Sequence, residues 1–298
     1  MKQRYRVVDV FTQEPLQGNP LAVFYDARGL DATMMQKIAR EMNLSETTFI
    51  FPPQRSDSAA RVRIFTPASE MLFAGHPTIG TAWVMRDLGI VSQSLRHFAL
   101  HENVGLVDVR VDDSADPLIW LRTPAIRTLR DYDQGLSAAA IGVTRADLLG
   151  VPCRSLTAGN PNVYIALRDR DAVDRARVDS AALRALVAAD REPMCIFVFT
   201  PTPEGAYSRM FAEELGVVED PATGSATGPL AAFMMEHGLA PTAHGTRFIS
   251  EQGTKMGRRS ILHVFIDGER GKNGIDVGGH VAAVATATME LPGEGIAT

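Results

Sequence analysis

The sequence predicts an α/β protein of the α+β kind, built as two pseudo-symmetric halves in which a barrel-like curved sheet encloses one central buried helix. Three observations lead there: a recurrence at about half the chain length, strand-like alternation within each copy, and two helical stretches that are apolar nearly all round. At 298 residues the chain has room for one large domain or two of roughly 100–150 residues each.

The recurrence carries most weight. Gly18-Asn19-Pro20-Leu21-Ala22-Val23 returns as Gly159-Asn160-Pro161-Asn162-Val163-Tyr164, an offset of 141 residues. The segment Asp31 to Ile38 is matched in pattern by Ser180 to Val187, offset by 149, and both read as capped helices. Arg63-Ile64-Phe65 returns as Arg209-Met210-Phe211, offset by 146, and Gly75-His76-Pro77-Thr78 as Gly224-Ser225-Ala226-Thr227, offset by 149. Four matches in the same order describe one unit present twice, with offsets varying as surface-loop insertions make them vary. The predicted halves are residues 1–125 and 126–298, joined through the polar, Arg/Asp-rich stretch Thr123 to Asp133, with the C-terminal segment free to cross back to the first half.

In chain order, Tyr5 to Phe11, Leu21 to Phe24, Thr47 to Phe51 and Arg61 to Phe65 read as strands. Asp31 suits the N-cap of a helix with Met34, Ile38 and Met42 on one stripe and Asn43 at its end. Pro77 to Leu88 has almost no polar face and should be buried; Pro77 suits the first helical position and Gly89 the position after the last turn. Leu106 to Val111 alternates, with Asp108 and Arg110 on one face and Val107, Val109 and Val111 on the other. In the second half Pro229 to Met235 repeats the buried helix and runs into Gly238.

Composition removes several function classes. A formal charge of −5, from 30 basic and 35 acidic residues without a Lys/Arg run, gives no electrostatic footprint for nucleic acid or an anionic membrane. No apolar run approaches the ~18 residues of a membrane span, and no apolar segment follows the charged N-terminus as in a secretory signal. Two cysteines, Cys153 and Cys195, are too few for a disulfide scaffold and point to a reducing cytoplasm. No G-x-G-x-x-G follows a strand, and Gly271-Lys272-Asn273 lacks the Ser/Thr of a phosphate-binding loop. His97 and His101 have the spacing of a zinc helix, but Phe98-Ala99-Leu100 reads as a strand, so no metal is expected.

Chemistry concentrates at the starts of the two buried helices. Gly75-His76 and Gly224-Ser225 combine small residues with unpaired amides and a positive dipole end, a ready site for a small carboxylate. Asp220, just before Pro221, is held out of a helix interior and reads as a cap or a ligand group. Glu46 follows a helix at the mouth of an apolar strand, and its counterpart at an offset of 149 is Cys195, so a carboxyl acting there has no symmetric twin. A single acid that removes a proton from one atom and returns it to another suits an isomerase, and burial would raise its pKa toward the useful range. Taken alone, a lone Glu reads more readily as a solvated strand end. His76, Asp220 and Ser225 are also the residue types of a hydrolase triad, but Ser225 lacks the G-x-S-x-G setting and crowds Asp220. A binding or regulatory protein that keeps the site without turnover is the other alternative.

Val8-Asp9-Val10-Phe11, Gly18-Asn19-Pro20, Leu44-Ser45-Glu46-Thr47, Phe73 to Gly80, Glu219 to Ala226 and Gln252 to Arg258 together resemble the phenazine-biosynthesis isomerase family, within the wider diaminopimelate epimerase fold. The resemblance runs from about Tyr5 to Met289. It implies two epimerase-like domains with the active site in the cleft between them, no cofactor, and a homodimer. It also implies Glu46 as the acid–base, His76, Asp220 and Ser225 as further catalytic residues, and Gly75, Gly224 and Asn19 as substrate-binding positions. The epimerase branch uses a cysteine at each buried helix start; here those places hold Gly75-His76 and Gly224-Ser225, so two-thiol racemisation is disfavoured.

Overall fold

The computed structural model describes residues 1–190, 192–213, 217–267 and 274–292. The segment Gly271-Lys272-Asn273 lies outside them. The described chain divides into two compact units, Met1–Leu121 with the segment from Gly279 onward, and Arg122–Gly278.

In the first unit Lys2–Val10 (β1) pairs antiparallel with Asn19–Phe24 (β2). After the helix Ala32–Met42 (α1) the chain returns as Glu46–Phe51 (β3), parallel to β2, with Leu21 opposite Glu46. Ala60–Phe65 (β4) is antiparallel to β3 and to the short Glu70–Met71 (β5). Gly75–Asp87 (α2) follows, then the hairpin His97–Glu102 (β6) and Gly105–Val111 (β7), and Ile119–Arg122 (β8). β6 runs parallel to β4.

The second unit repeats this order. Arg127–Tyr132 (β9) pairs with Cys153–Thr157 (β10), which pairs with Pro161–Ala166 (β11). Between β9 and β10 lies Gln134–Ala140 (α3), and after β11 come Arg170–Arg175 (α4) and Ser180–Leu186 (α5). Cys195–Thr202 (β12) is parallel to β11 with Asn162 opposite Cys195, and Gly205–Ala212 (β13) is antiparallel to it. Val217–Asp220 (β14), Gly224–Glu236 (α6), Thr246–Gln252 (β15), Ser260–Ile266 (β16) and Ile275–Gly279 (β17) complete the copy. The final strand, Val281–Glu290 (β18), pairs with β1 in the first unit, as β9 pairs with β10 in the second.

Local chemistry explains the elements. Asp31 caps α1 by accepting from the Met34 amide, and Asn43 closes it in the left-handed conformation. The buried stripe of α1 is Met35, Ile38 and Ala39, one position round from the expected Met34 and Met42, which are half-buried. β7 alternates as predicted, with Val107, Val109 and Val111 inward. α2 is buried at 11 of its 13 positions, including His76 and Thr78, so its weak amphipathicity reflects enclosure on every side. It begins at Gly75, putting Pro77 third rather than first, where its missing N–H still removes no helical bond.

α6 starts at Gly224, so Pro229 lies inside it and is not its opening residue. The helix tolerates this because Pro229 deletes only the bond to the Ser225 carbonyl in an otherwise packed core of Tyr164, Phe197, Phe199, Leu230 and Phe233. Both helices stop at glycines of positive φ, Gly89 and Gly238. The stretch expected as a plain connector contains β9, mostly exposed and held by backbone pairing to β10 and by Arg130 and Tyr132 on Asp190. Cys153 and Cys195 form no disulfide, and both are buried in hydrophobic cores of the second unit.

Candidate active site

In the first unit the register of β2 and β3 places Glu46 at the head of β3, beside Leu21 and two residues along from Asn19. Asn19 is completely buried, and the turn before it requires Gly18 at φ +67°, where a Cβ would sit 2.4 Å from the Val10 carbonyl oxygen. α2 delivers His76 from its first turn. Glu46 Oε2 lies 3.4 Å from His76 Nε2, and Asn19 Nδ2 lies 3.3 Å from His76 Nδ1. Three of the expected residues therefore form one cluster, with Gly75 next to His76.

Burial sets the charge state of this cluster. The His76 side chain is 5% exposed and that of Glu46 16%. Burial pushes the imidazole down to about 3, against a smaller opposing effect from a hydrogen bond to the Pro20 backbone. At neutral pH His76 is thus uncharged, and its contact with Glu46 is not an ion pair. A neutral ring carries one proton. On Nε2 it faces Glu46 and leaves Nδ1 to accept from Asn19; on Nδ1 it leaves Nε2 as an acceptor toward Glu46. Between them the two tautomers let His76 donate a hydrogen bond to an ionised Glu46 or accept one from a protonated Glu46 while itself staying neutral. The first-turn amides of Gly75 and His76 have no intrahelical acceptor, and Ala74 provides no side-chain cap.

In the second unit Asp220 ends β14 and its Oδ2 accepts from Thr223 Oγ1 at 2.5 Å. Gln252, completely buried, locks this turn: its Nε2 donates to the Asp220 carbonyl at 2.8 Å and to Thr223 Oγ1 at 3.0 Å, and its Oε1 accepts from the Thr223 amide at 3.1 Å. Gly224 and Ser225 open α6 immediately after, Gly224 buried and Ser225 half-buried. Among the described residues of this unit no imidazole is hydrogen-bonded to Ser225, and the hydrolase alternative gains no support from its surroundings. Sequence reasoning passed over Thr223 and Gln252 as participants. Gln252 did stand in a quoted motif, but its role depends on a side chain reaching back 29 and 32 residues.

His97 and His101 both lie on β6, a strand, where four residues span about 13 Å. That separation is too great for two ligands of one tetrahedral ion. Among the described residues no group of three or more His, Cys, Asp or Glu side chains is placed to hold a metal. No helix among them is long and apolar enough to cross a membrane.

Residues 8–287 match the family profile described as Phenazine biosynthesis-like protein. The chain belongs to that family. Trans-2,3-dihydro-3-hydroxyanthranilate isomerase of Pseudomonas aeruginosa is 36% identical over 292 residues, covering 97% of this chain and 99% of that protein. The crystal structure of a Bacillus anthracis phenazine biosynthesis protein of the PhzF family superposes with a TM-score of 0.88 at 24% identity, covering 98% and 100% of the two chains. A probable proline racemase from Agrobacterium radiobacter shares the fold alone, with a TM-score of 0.68 at 13% identity over 97% and 93%. The family's fold is therefore epimerase-like and its enzymes are isomerases and epimerases, the class in which this chain falls.

Proposed function

We propose that the protein is a cofactor-independent isomerase that moves a proton on a small carboxylate-bearing substrate, with Glu46 as general acid and base. The observation that carries this reading is the Glu46–His76–Asn19 cluster at the start of a buried helix, in a chain whose relatives include a named isomerase. Glu46 takes a proton from a carbon next to an unsaturated or carbonyl group, and the electron pair left behind spreads into that π system. The same carboxyl group then returns the proton to another carbon, so no redox partner or co-substrate is consumed. Neutral His76 orients the Glu46 carboxyl by a hydrogen bond, as donor when Glu46 is ionised and as acceptor when it is protonated, and the Gly75 and His76 amides bind the substrate carboxylate at the positive end of α2. Asp220, Gly224 and Ser225 are the groups of the second unit proposed to handle substrate.

Incubation of the protein with pooled small carboxylates in D2O tests this reading without a guess at the product. The named substrate of the P. aeruginosa relative, trans-2,3-dihydro-3-hydroxyanthranilate, belongs in that pool. The expected result is deuterium at one specific carbon of one compound. Tight binding of a carboxylate without any exchange would replace the isomerase by a binding protein. A cytoplasmic homodimer is part of the same proposal, and sedimentation at micromolar concentration checks the dimer.

A further inference from the structure

Glu102, the last residue of β6, is 1% exposed and takes no part in the chemistry above. Its Oε1 lies 2.6 Å from Thr78 Oγ1, and the same Thr78 oxygen lies 2.7 Å from the Ala74 carbonyl oxygen. A threonine hydroxyl has one proton and can serve only one of these two acceptors. The Ala74 carbonyl can only accept. If the Thr78 proton goes to Ala74, the short contact to Glu102 needs a proton supplied by the carboxyl group itself.

The second unit holds an independent precedent for a neutral group here. β6 lies beside β4 with Arg61 opposite His101, and β15 lies beside β13 with Tyr207 opposite Glu251, so the next residue along, Glu102, has Gln252 as its counterpart. Gln252 binds Thr223, the residue before α6, as Glu102 binds the turn of Ala74 and Thr78 that opens α2. An amide and a protonated carboxyl share shape and neutrality. One repeat thus fills the position with a side chain that never ionises.

We propose that Glu102 is held as a neutral carboxylic acid that fixes the first turn of α2, making it the positioning residue for His76 and, through His76, for Glu46. The functional half of this inference rests on the isomerase reading; the protonation half does not. The charged group that faces Glu102 is Arg61 on β4, whose guanidinium donates to the Val62 and His101 carbonyls and to Asn103 and makes no ion pair with Glu102. β7 offers only Gly105 opposite it, Glu70 of β5 is engaged by Arg63 and Asn103, and α2 presents the neutral Thr78. Burial accordingly pushes Glu102 up to about 8, opposed by the Thr78 hydrogen bond and by Arg61. A neutral Glu102 also leaves the positive end of α2 to an incoming anion. Ionised, it would compete with that anion.

The sign of the pH effect follows from linkage. An unfolded Glu ionises near 4.5 and the folded one near 8, so stability from the neutral acid is complete below about 4.5 and is lost as pH rises through about 8. Glu102→Gln removes that dependence. Thermal unfolding of both proteins from about pH 5 to about pH 9 should show the variant's Tm advantage growing with pH and levelling above about 8. Infrared spectra at pH 7 should show a protonated-carboxyl band that the variant lacks. A variant that is unfolded, or less stable than wild type throughout, overturns the proposal, as does a wild type without that band. Neither readout needs a substrate, so both stand if the isomerase reading fails. With a substrate in hand, KM should rise through about pH 8 in wild type and stay flat in Glu102→Gln; parallel profiles would remove the positioning role.

Discussion

The strand that begins with Glu46 in the first unit begins with Cys195 in the second, and the helix that opens Gly75-His76 in one opens Gly224-Ser225 in the other. Around these positions the scaffolds agree closely. Arg63 grips Glu70 with two hydrogen bonds and lies 5.2 Å from the Phe65 ring centre; Arg209 grips Glu219 the same way, 4.8 Å from that of Phe211. Thr78 and Thr227 both return their hydroxyls to the carbonyl preceding their helix. At the proposed site positions the copies part: where the first unit has Glu46, His76 and Glu102, the second has Cys195, Ser225 and Gln252. The exception runs the other way, with Asp220 in the second unit where the first has Met71. A repeated fold supplies two helix starts, and divergence at a few positions gives them different side chains; the proposed function assigns the proton chemistry to the first.

The comparison can be broken first at its scaffold. Arg209 is 4% exposed and also donates to the Val173, Asp174 and Ala176 carbonyls, whereas the Arg63 side chain is 24% exposed. Arg209→Ala should cost about 3–5 kcal/mol by leaving Glu219 and three carbonyls without their donor. Arg63→Ala, at the equivalent place, should cost about 1 kcal/mol. Urea unfolding of the two variants measures the gap, and equal losses would mean that the repeat symmetry extends to energetics as well as geometry.

Acid stability sharpens the contrast at the helix starts. An unfolded histidine takes up a proton below about 6.5, but folded His76 resists until about 3, so stability is lost as pH falls through that window. The slope attributable to His76 is at most about 1.4 kcal/mol per pH unit. His76→Gln should flatten it, and Ser225→Ala should leave it untouched, as read from urea midpoints at several pH values. The smallest effect belongs to Cys195→Ala, which trims one buried atom and should cost about 1 kcal/mol with turnover close to wild type.

Much of this was legible in the sequence because it rests on short-range signals. The Asp31 cap, the β7 alternation and the enclosed α2 each follow from spacing within a few residues, and the repeat from motifs of a few residues that recur at an offset of about 149. Gly224-Ser225 was legible as the start of α6, whereas a proline inside it at Pro229 is tolerated only because the surrounding core holds its turn in place. β9 was missed because a strand secured by backbone pairing and Arg130 contacts needs no apolar alternation. Glu46 could be placed opposite Cys195 by counting alone, and the strand registers put the two at equivalent places. What counting could not reach is the web of side chains behind the site. Glu102 on Thr78 and Gln252 on Thr223 span 24 and 29 residues and exist only once β6 and β15 lie against their helices.

The central claim is that proton transfer belongs to Glu46 and has no counterpart at the equivalent position of the second unit. Deuterium wash-in from D2O, followed on one substrate for Glu46→Gln and Cys195→Ala side by side, tests it most directly. Exchange and turnover should fall together by about 10²–10⁴ in Glu46→Gln and remain near wild type in Cys195→Ala. Wild-type exchange in a folded Glu46→Gln protein would contradict the account.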